Sequence, residues 1–143
     1  MIRSTFIKAF VVVMIILSVI TTNKPRIAFC DVTEDARLLA EVMYYENYSN
    51  GTKAMIYTGS VVINRAKYCS WCPNTIKGVL YQKGQYSTTN KFYKKKLPID
   101  VVAIASALAI GGSQIPHKVI YQSMFMQGSG LYEKVGTDYF CFE

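Results

Sequence analysis

The chain carries two kinds of hydrophobic pattern, one after the other. Between about residues 33 and 110, apolar positions recur every three to four residues, which is typical of amphipathic helices. After Pro116, β-branched and aromatic residues gather in short runs, which favours strands. Helices followed by a small sheet predict an α+β domain, mainly helical, with a C-terminal antiparallel sheet.

Turn and capping residues divide the first region into four helices. We expect a helix from Asp31 or Thr33 to about Tyr45, one that opens at Gly51, a short one capped by Asn74, and a core helix over residues 99–110. In the second helix, Ala54, Thr58, Val61, Val62 and Arg65 share one face, and the small Gly59 permits close packing. Later in the chain, strands are predicted over residues 119–125 and 139–142, and a short helix or irregular segment over residues 131–135.

The first thirty residues have the composition of a targeting segment. Arg3 and Lys8 precede an apolar run, residues 10–17, that is too short for a full membrane span. We therefore expect an exported protein, either secreted or held at the membrane by an uncleaved or lipidated N-terminus. Residues 31–143 would then form one domain.

Charge and cysteine content exclude some classes of function. After residue 30, 12 basic residues face nine acidic ones, which does not suggest nucleic-acid binding but is compatible with weak attraction to an acidic polymer such as a cell wall. Three cysteines remain, Cys69, Cys72 and Cys141, and one disulfide among them has three possible pairings. Zinc would need more ligands than these and the lone His117 provide, so we expect no metal and no organic cofactor.

Glu46 occupies an unusual position in the first predicted helix. It is on the same stripe as Leu38, Leu39, Val42 and Met43, whereas Glu41 is turned by about 140° and can face water. A carboxyl at the end of an apolar stripe loses hydration, which favours its neutral, proton-donating form. The alternative is that the helix ends near Tyr45 and Glu46 turns into solvent.

A set of motifs gives the chain a family resemblance. The set comprises Leu39-Ala40 before Glu46, Val62-Ile63-Asn64-Arg65, residues 73–82 with the sequence Pro-Asn-Thr-Ile-Lys-Gly-Val-Leu-Tyr-Gln, and Gly84-Gln85-Tyr86-Ser87. Together they resemble the catalytic domain of the SleB/CwlJ-type, spore-cortex-lytic cell-wall hydrolases, over about residues 35–142. The resemblance implies a lysozyme-like fold and cleavage of peptidoglycan glycan strands by one essential glutamate, which corresponds to Glu46.

The same resemblance implies which side chains bind the glycan. Asn64 and Arg65 match the family's Asn-Arg pair, Gln85, Tyr86 and Ser87 match the segment along the cleft, and Tyr81 is a further aromatic candidate. Other readings stay open, since Asn64 can cap a helix, Tyr86 can be packing, and Arg65 can pair with Glu41 or Asp35. The chain departs from the family pattern in its short neutral loop after Glu46, in Cys69-Ser-Trp-Cys72, and in Asp138, where a histidine is common.

Several functions remain compatible with the sequence. A lytic transglycosylase needs only Glu46, because the 6-hydroxyl of N-acetylmuramic acid attacks its own anomeric carbon. A hydrolytic muramidase would need a second carboxylate, for which Asp138, Glu133 and Asp100 are the candidates in that order. The remaining alternatives are a wall-binding protein that uses Tyr81 and Tyr86 as sugar platforms, and an exported thiol-disulfide protein built on Cys69 and Cys72.

Overall fold

Four α-helices and a three-stranded sheet make up residues 32–143, the part of the chain that the computed structural model describes. The elements are α1 (Glu34–Asn47), α2 (Thr52–Tyr68), α3 (Ile76–Tyr81), α4 (Ile99–Gly111), β1 (Val119–Ser123), β2 (Gly130–Val135) and β3 (Asp138–Phe142), with 3₁₀ turns at Tyr48–Asn50 and Ser87–Lys91. The predicted α+β class is confirmed. The predicted targeting segment and the Asp31 cap lie outside the described residues.

Helix α1 is the centre of the helical layer, where it contacts α2, α3 and α4. The Thr33 hydroxyl accepts a hydrogen bond from Ala36 N (3.2 Å) and begins the helix. The helix continues to Asn47, so it does not end near Tyr45. Its four predicted core residues, Leu38, Leu39, Val42 and Met43, are buried as expected.

Helix α2 packs closely against its neighbours because of one glycine. A Cβ at Gly59 would lie 2.8 Å from Leu108 Cδ1 and 3.0 Å from Met43 Sδ, closer than atoms pack without displacement. The missing side chain therefore lets α1 and α4 approach α2. All five residues predicted to share one face of α2 are buried.

Two helical predictions need correction. The cap of α3 is Thr75, whose hydroxyl accepts from Gly78 N (3.0 Å), and not Asn74. Helix α4 is not wholly core, because it packs by one face only, so Ile110 at its end is 90% exposed. A helix that is apolar on every side gives no indication of which face will be covered. None of the helices in residues 32–143 has the length and apolarity that a membrane crossing requires.

The sheet has the order β1-β3-β2, and both pairings are antiparallel. The prediction of a helix or irregular segment over residues 131–135 is wrong, because this segment forms β2. Its residues are mostly half-exposed at a sheet edge. The segment therefore lacks the clear alternation of apolar and polar residues that indicates a strand. Phe140 on β3 is fully buried against α2, in a small core with Val61, Ile115 and Val119.

Candidate active site

Glu46 is at the C-terminal end of α1, beside the 3₁₀ turn Ser87–Lys91. Its side chain is half-buried, and Thr88 Oγ1 donates to Glu46 Oε1 at 2.5 Å. Within residues 32–143, Glu46 forms no salt bridge, and its Oε2 atom makes no hydrogen bond. One carboxylate oxygen is thus held by a neutral hydroxyl, and the other remains available to a ligand.

Glu41 behaves differently from the prediction. It does not face water but is fully buried, while Glu46 is only half-buried. Arg37, one turn earlier, places its guanidinium 2.9 Å from Glu41 Oε1, and the backbone N–H of Tyr93 donates to the same oxygen (3.1 Å). The chain around Tyr93 covers a helix face that would otherwise be open. Glu41 is therefore a structural ion-pair residue.

Arg65, Gln85 and Tyr86 form a polar row next to Glu46. The guanidinium of Arg65, which is only 5% exposed, donates from Nη2 to Gln85 Oε1 (2.7 Å). Burial raises the pKa of Tyr86 to about 12, with the nearby charge of Arg65 opposing that rise and the charge of Glu46 adding to it. Tyr86 thus neighbours both charged groups. Within the described part of the chain, Arg65 forms no salt bridge, so the pairing with Glu41 or Asp35 is not found.

The other two predicted cleft residues are exposed. Ser87 begins the 3₁₀ turn that holds Thr88, so it follows Tyr86 along the same edge. Tyr81 is 51% exposed and packs edge-on against Phe92, with ring centroids 6.4 Å apart. Phe92 in turn stacks on Tyr45 (6.1 Å), so a ring separates Tyr81 from the end of α1. The structure brings Glu46, Arg65, Gln85, Tyr86 and Ser87 together and leaves Tyr81 outside this group.

Asn64 lies away from the polar row despite its place beside Arg65 in the sequence. It is fully buried, and its side-chain amide donates to the carbonyls of Pro116 (2.9 Å) and Val119 (3.0 Å). These bonds tie α2 to the start of β1. In place of the predicted contact with substrate, this geometry gives Asn64 a structural role.

We expect Asn64→Ala to destabilise the fold without weakening substrate binding. Loss of the amide removes the buried donor to the Val119 carbonyl, while the Pro116 carbonyl still accepts from Val119 N, and this loss costs about 1–3 kcal/mol of unfolding free energy. Urea unfolding measures this cost, and KM measures binding. A large rise in KM at unchanged stability would show that Asn64 contacts the substrate.

The three candidates for a second carboxylate have different surroundings. Asp138 Oδ2 accepts from Asn47 Nδ2 (2.9 Å) and Gln122 Nε2 (2.6 Å), so it lies against the residue that follows Glu46. The ammonium of Lys53 and the hydroxyl of Tyr57 both bind Glu133 and lower its pKa, which keeps it ionised. Asp100 is exposed in the first turn of α4. Only Asp138 is tied to the end of α1.

A comparison with known protein families decides the class of this domain. A family model described as Cell Wall Hydrolase matches residues 49–129, which is more than half of the chain. The chain belongs to the cell wall hydrolase family. This confirms the SleB/CwlJ-type resemblance and makes the domain a peptidoglycan-degrading enzyme. No curated protein and no solved structure matches the chain.

The matched segment of this cell wall hydrolase contains the whole polar row but not Glu46. Arg65, Gln85, Tyr86 and Ser87 all lie within residues 49–129. Glu46 precedes the match by three residues, in the last turn of α1. Its inclusion in the site therefore depends on the contact with Thr88 and on its proximity to Tyr86.

Within residues 32–143 the hydrolase has one disulfide, which joins Cys69 and Cys72, while Cys141 is free and buried. The sequence left this pairing open. Cys69 follows the last residue of α2, at the negative end of the helix dipole, which disfavours a thiolate there. This position does not suit a catalytic thiol pair. Among residues 32–143, no group of three or more His, Cys, Asp or Glu side chains could hold a metal ion.

Sequence reasoning missed two residues of the hydrolase site. Thr88, which binds Glu46, directly follows the predicted Gln85-Tyr86-Ser87 segment, and extending that segment by one residue would have included it. Asn47 bridges Asp138 and Thr58 through its side-chain amide. The sequence signal was its position one turn after Met43 on the apolar stripe, because an amide that is buried there needs partners.

Proposed function

We propose that this cell wall hydrolase is a lytic transglycosylase that cleaves peptidoglycan glycan strands at the N-acetylmuramic acid linkage, with Glu46 as its catalytic residue. The support is the position of Glu46, a half-buried carboxyl that forms no salt bridge within residues 32–143 and lies next to the row of Arg65, Gln85 and Tyr86. We also propose that the protein acts outside the cytoplasm, where its substrate lies.

In this mechanism one carboxyl serves two steps. Glu46 first protonates the glycosidic oxygen as the bond to the leaving sugar breaks. The muramic acid 6-hydroxyl then attacks the anomeric carbon, and the Glu46 carboxylate takes the proton from that hydroxyl. Both reacting groups belong to one sugar, so the attack benefits from a high effective concentration.

The surrounding residues have distinct parts in the proposal. Thr88 holds Oε1 of Glu46 and leaves Oε2 to carry the proton. The Arg65 guanidinium provides positive charge beside Gln85 and Tyr86, in a place where burial weakens solvent screening. Gln85, Tyr86 and Ser87 offer polar groups along the path of the glycan. Tyr81 would contact only a distant sugar.

A hydrolytic muramidase is the second candidate, because of Asp138. This carboxylate is bound by Asn47, the neighbour of Glu46, and forms no salt bridge within residues 32–143. An inverting enzyme separates its two carboxyls by about 6.5–9.5 Å to hold a water between them. Asp138 could serve as that base if the glycan binds between the end of α1 and β3.

The products separate the two mechanisms. We expect digestion of purified peptidoglycan to yield strands that end in 1,6-anhydro-N-acetylmuramic acid, one water lighter than a hydrolysed end and resistant to borohydride. Mass spectrometry of the digest measures this directly. If reducible muramic acid ends dominate, the transglycosylase assignment is wrong, and Asp138→Asn should then abolish cleavage while Glu133→Gln and Asp100→Asn should not.

A further inference from the structure

Trp71, the single tryptophan of the chain, lies inside the loop that the disulfide closes. Cys69 and Cys72 bracket it, with their Cα atoms 5.4 Å apart. Nearly half of its surface, 47%, is exposed to solvent. The indole N–H donates to Glu143 Oε1 (3.2 Å), and the exposed part of the ring is available to a ligand.

The surroundings of Trp71 connect it to the catalytic region. Its ring stacks against Tyr121 of β1, with centroids 6.4 Å apart and planes inclined by 26°. The Arg65 guanidinium carbon lies 5.4 Å from the Trp71 ring centroid, and the same guanidinium donates to Gln85. Arg65 therefore links Trp71 to the row that leads through Tyr86 to Glu46.

The chemistry of these groups fits a sugar. A pyranose ring has an apolar C–H face that packs on an aromatic plane. Trp71 supplies the exposed plane, while the Arg65 guanidinium, which is only 5% exposed, lies over the ring and helps to hold it in place. A glycan strand that passes Glu46 and follows this row would reach Trp71 with a sugar remote from the cleaved bond.

We propose that Trp71 and Tyr121 form a sugar-stacking subsite of the glycan cleft, which the Cys69–Cys72 disulfide holds in its binding conformation. This subsite deepens the proposed function and rests on it for the identity of the ligand. The closed loop limits the positions that Trp71 can sample before it binds, so less ordering is required on binding. The disulfide thus has a positioning role and no redox chemistry.

The unique tryptophan makes the subsite directly observable. In a full-length Glu46→Gln variant, the emission of Trp71 should shift saturably as soluble peptidoglycan glycan fragments are added. Co-sedimentation of the same protein with insoluble cell walls provides an independent measure of binding. Binding without any change in Trp71 emission would overturn the proposal, as would the absence of binding in both assays.

Variants on the Glu46-containing protein distinguish a subsite from a structural residue. Trp71→Ala should raise KM about tenfold with kcat within about twofold, since a remote sugar contributes uniform binding energy. Trp71→Tyr should recover most of the affinity, and Cys69→Ser/Cys72→Ser should raise KM severalfold. The matched control is Tyr68→Ala, which removes another exposed aromatic, one that contacts His117 and not Arg65.

Two results would contradict the subsite. One is a Trp71→Ala protein with the KM of Tyr68→Ala, and the other is a loss of kcat with unchanged KM. Circular dichroism checks that each variant is folded. If Trp71→Ala does not fold, the emission titration of the Glu46→Gln protein still tests the subsite. A Glu46→Gln variant that still cleaves glycan but shows the Trp71 shift would refute the catalytic assignment alone and support the subsite.

Discussion

Replacing Glu46 with glutamine should reduce the rate of glycan cleavage by about two orders of magnitude or more, because general acid–base catalysis contributes about 10²–10⁴-fold. The amide keeps the shape of the side chain and still accepts the hydrogen bond from Thr88, but it cannot donate the proton that the leaving sugar needs. Release of soluble fragments from purified peptidoglycan measures the rate. Thermal unfolding of the same sample shows that the fold is retained.

The control for this experiment is Glu34→Gln. Glu34 is on the same helix, is well exposed, and forms a surface ion pair with Lys77 (3.0 Å), which solvent screening keeps weak. Its replacement should leave the rate nearly unchanged. Glu41 is not a suitable control, since it is buried in an ion pair. Near-normal cleavage by a folded Glu46→Gln protein would remove Glu46 from the mechanism.

The largest expected loss of stability follows from Phe140→Ala. Phe140 is fully buried on the central strand and meets Tyr57 of α2 edge-on, with ring centroids 5.2 Å apart. Truncation of a buried phenylalanine leaves a cavity and costs about 3–5 kcal/mol of unfolding free energy. Urea unfolding followed by circular dichroism measures the difference.

Phe125→Ala is the matched control for Phe140→Ala, because it truncates a phenylalanine that is exposed. Phe125 follows β1 and is 63% exposed, so its truncation should change the free energy of unfolding by less than about 0.5 kcal/mol. Equal losses in the two variants would mean that the sheet does not pack on α2 through Phe140. In that case Asp138, two residues earlier on the same strand, would not be held against Asn47 either.

The helices were predictable because their positions depend on local signals. Thr33, Gly51 and the pair Gly111 and Gly112 mark helix ends in the sequence, and the structure has helix ends at these residues. The apolar stripe of α1 was correct for Leu38 and Val42 for the same reason. Such signals act within a turn or two of the chain.

Features that depend on distant residues were not predictable. Glu41 is buried because Tyr93, 52 positions later, donates to it, and no helical periodicity encodes that contact. The Asn47–Asp138 bond joins residues 91 positions apart. Strand β2 was missed because it is stabilised by pairing with β3, and its own sequence has no clear strand pattern.

The candidate site was partly predictable from motifs. Arg65, Gln85 and Tyr86 lie together as the motif resemblance implied, whereas Asn64, the neighbour of Arg65, points into the core. Adjacent residues on a helix point in directions about 100° apart, so a sequence motif does not say which of them meets the ligand. The disulfide pairing was open for a similar reason, since spacing alone does not exclude Cys141.

The strand order also constrains when this enzyme can form. Strands β1 and β2 each pair with β3 and not with one another, yet β3 comes after both in the chain. During synthesis, therefore, neither strand has a partner until β3 has been made. The hydrogen bond between Asn47 and Asp138 cannot form before then either, because Asp138 is on β3. The end of α1 that carries Glu46 would reach its final packing last. A cell wall hydrolase assembled in this order stays incomplete until β3 has been made.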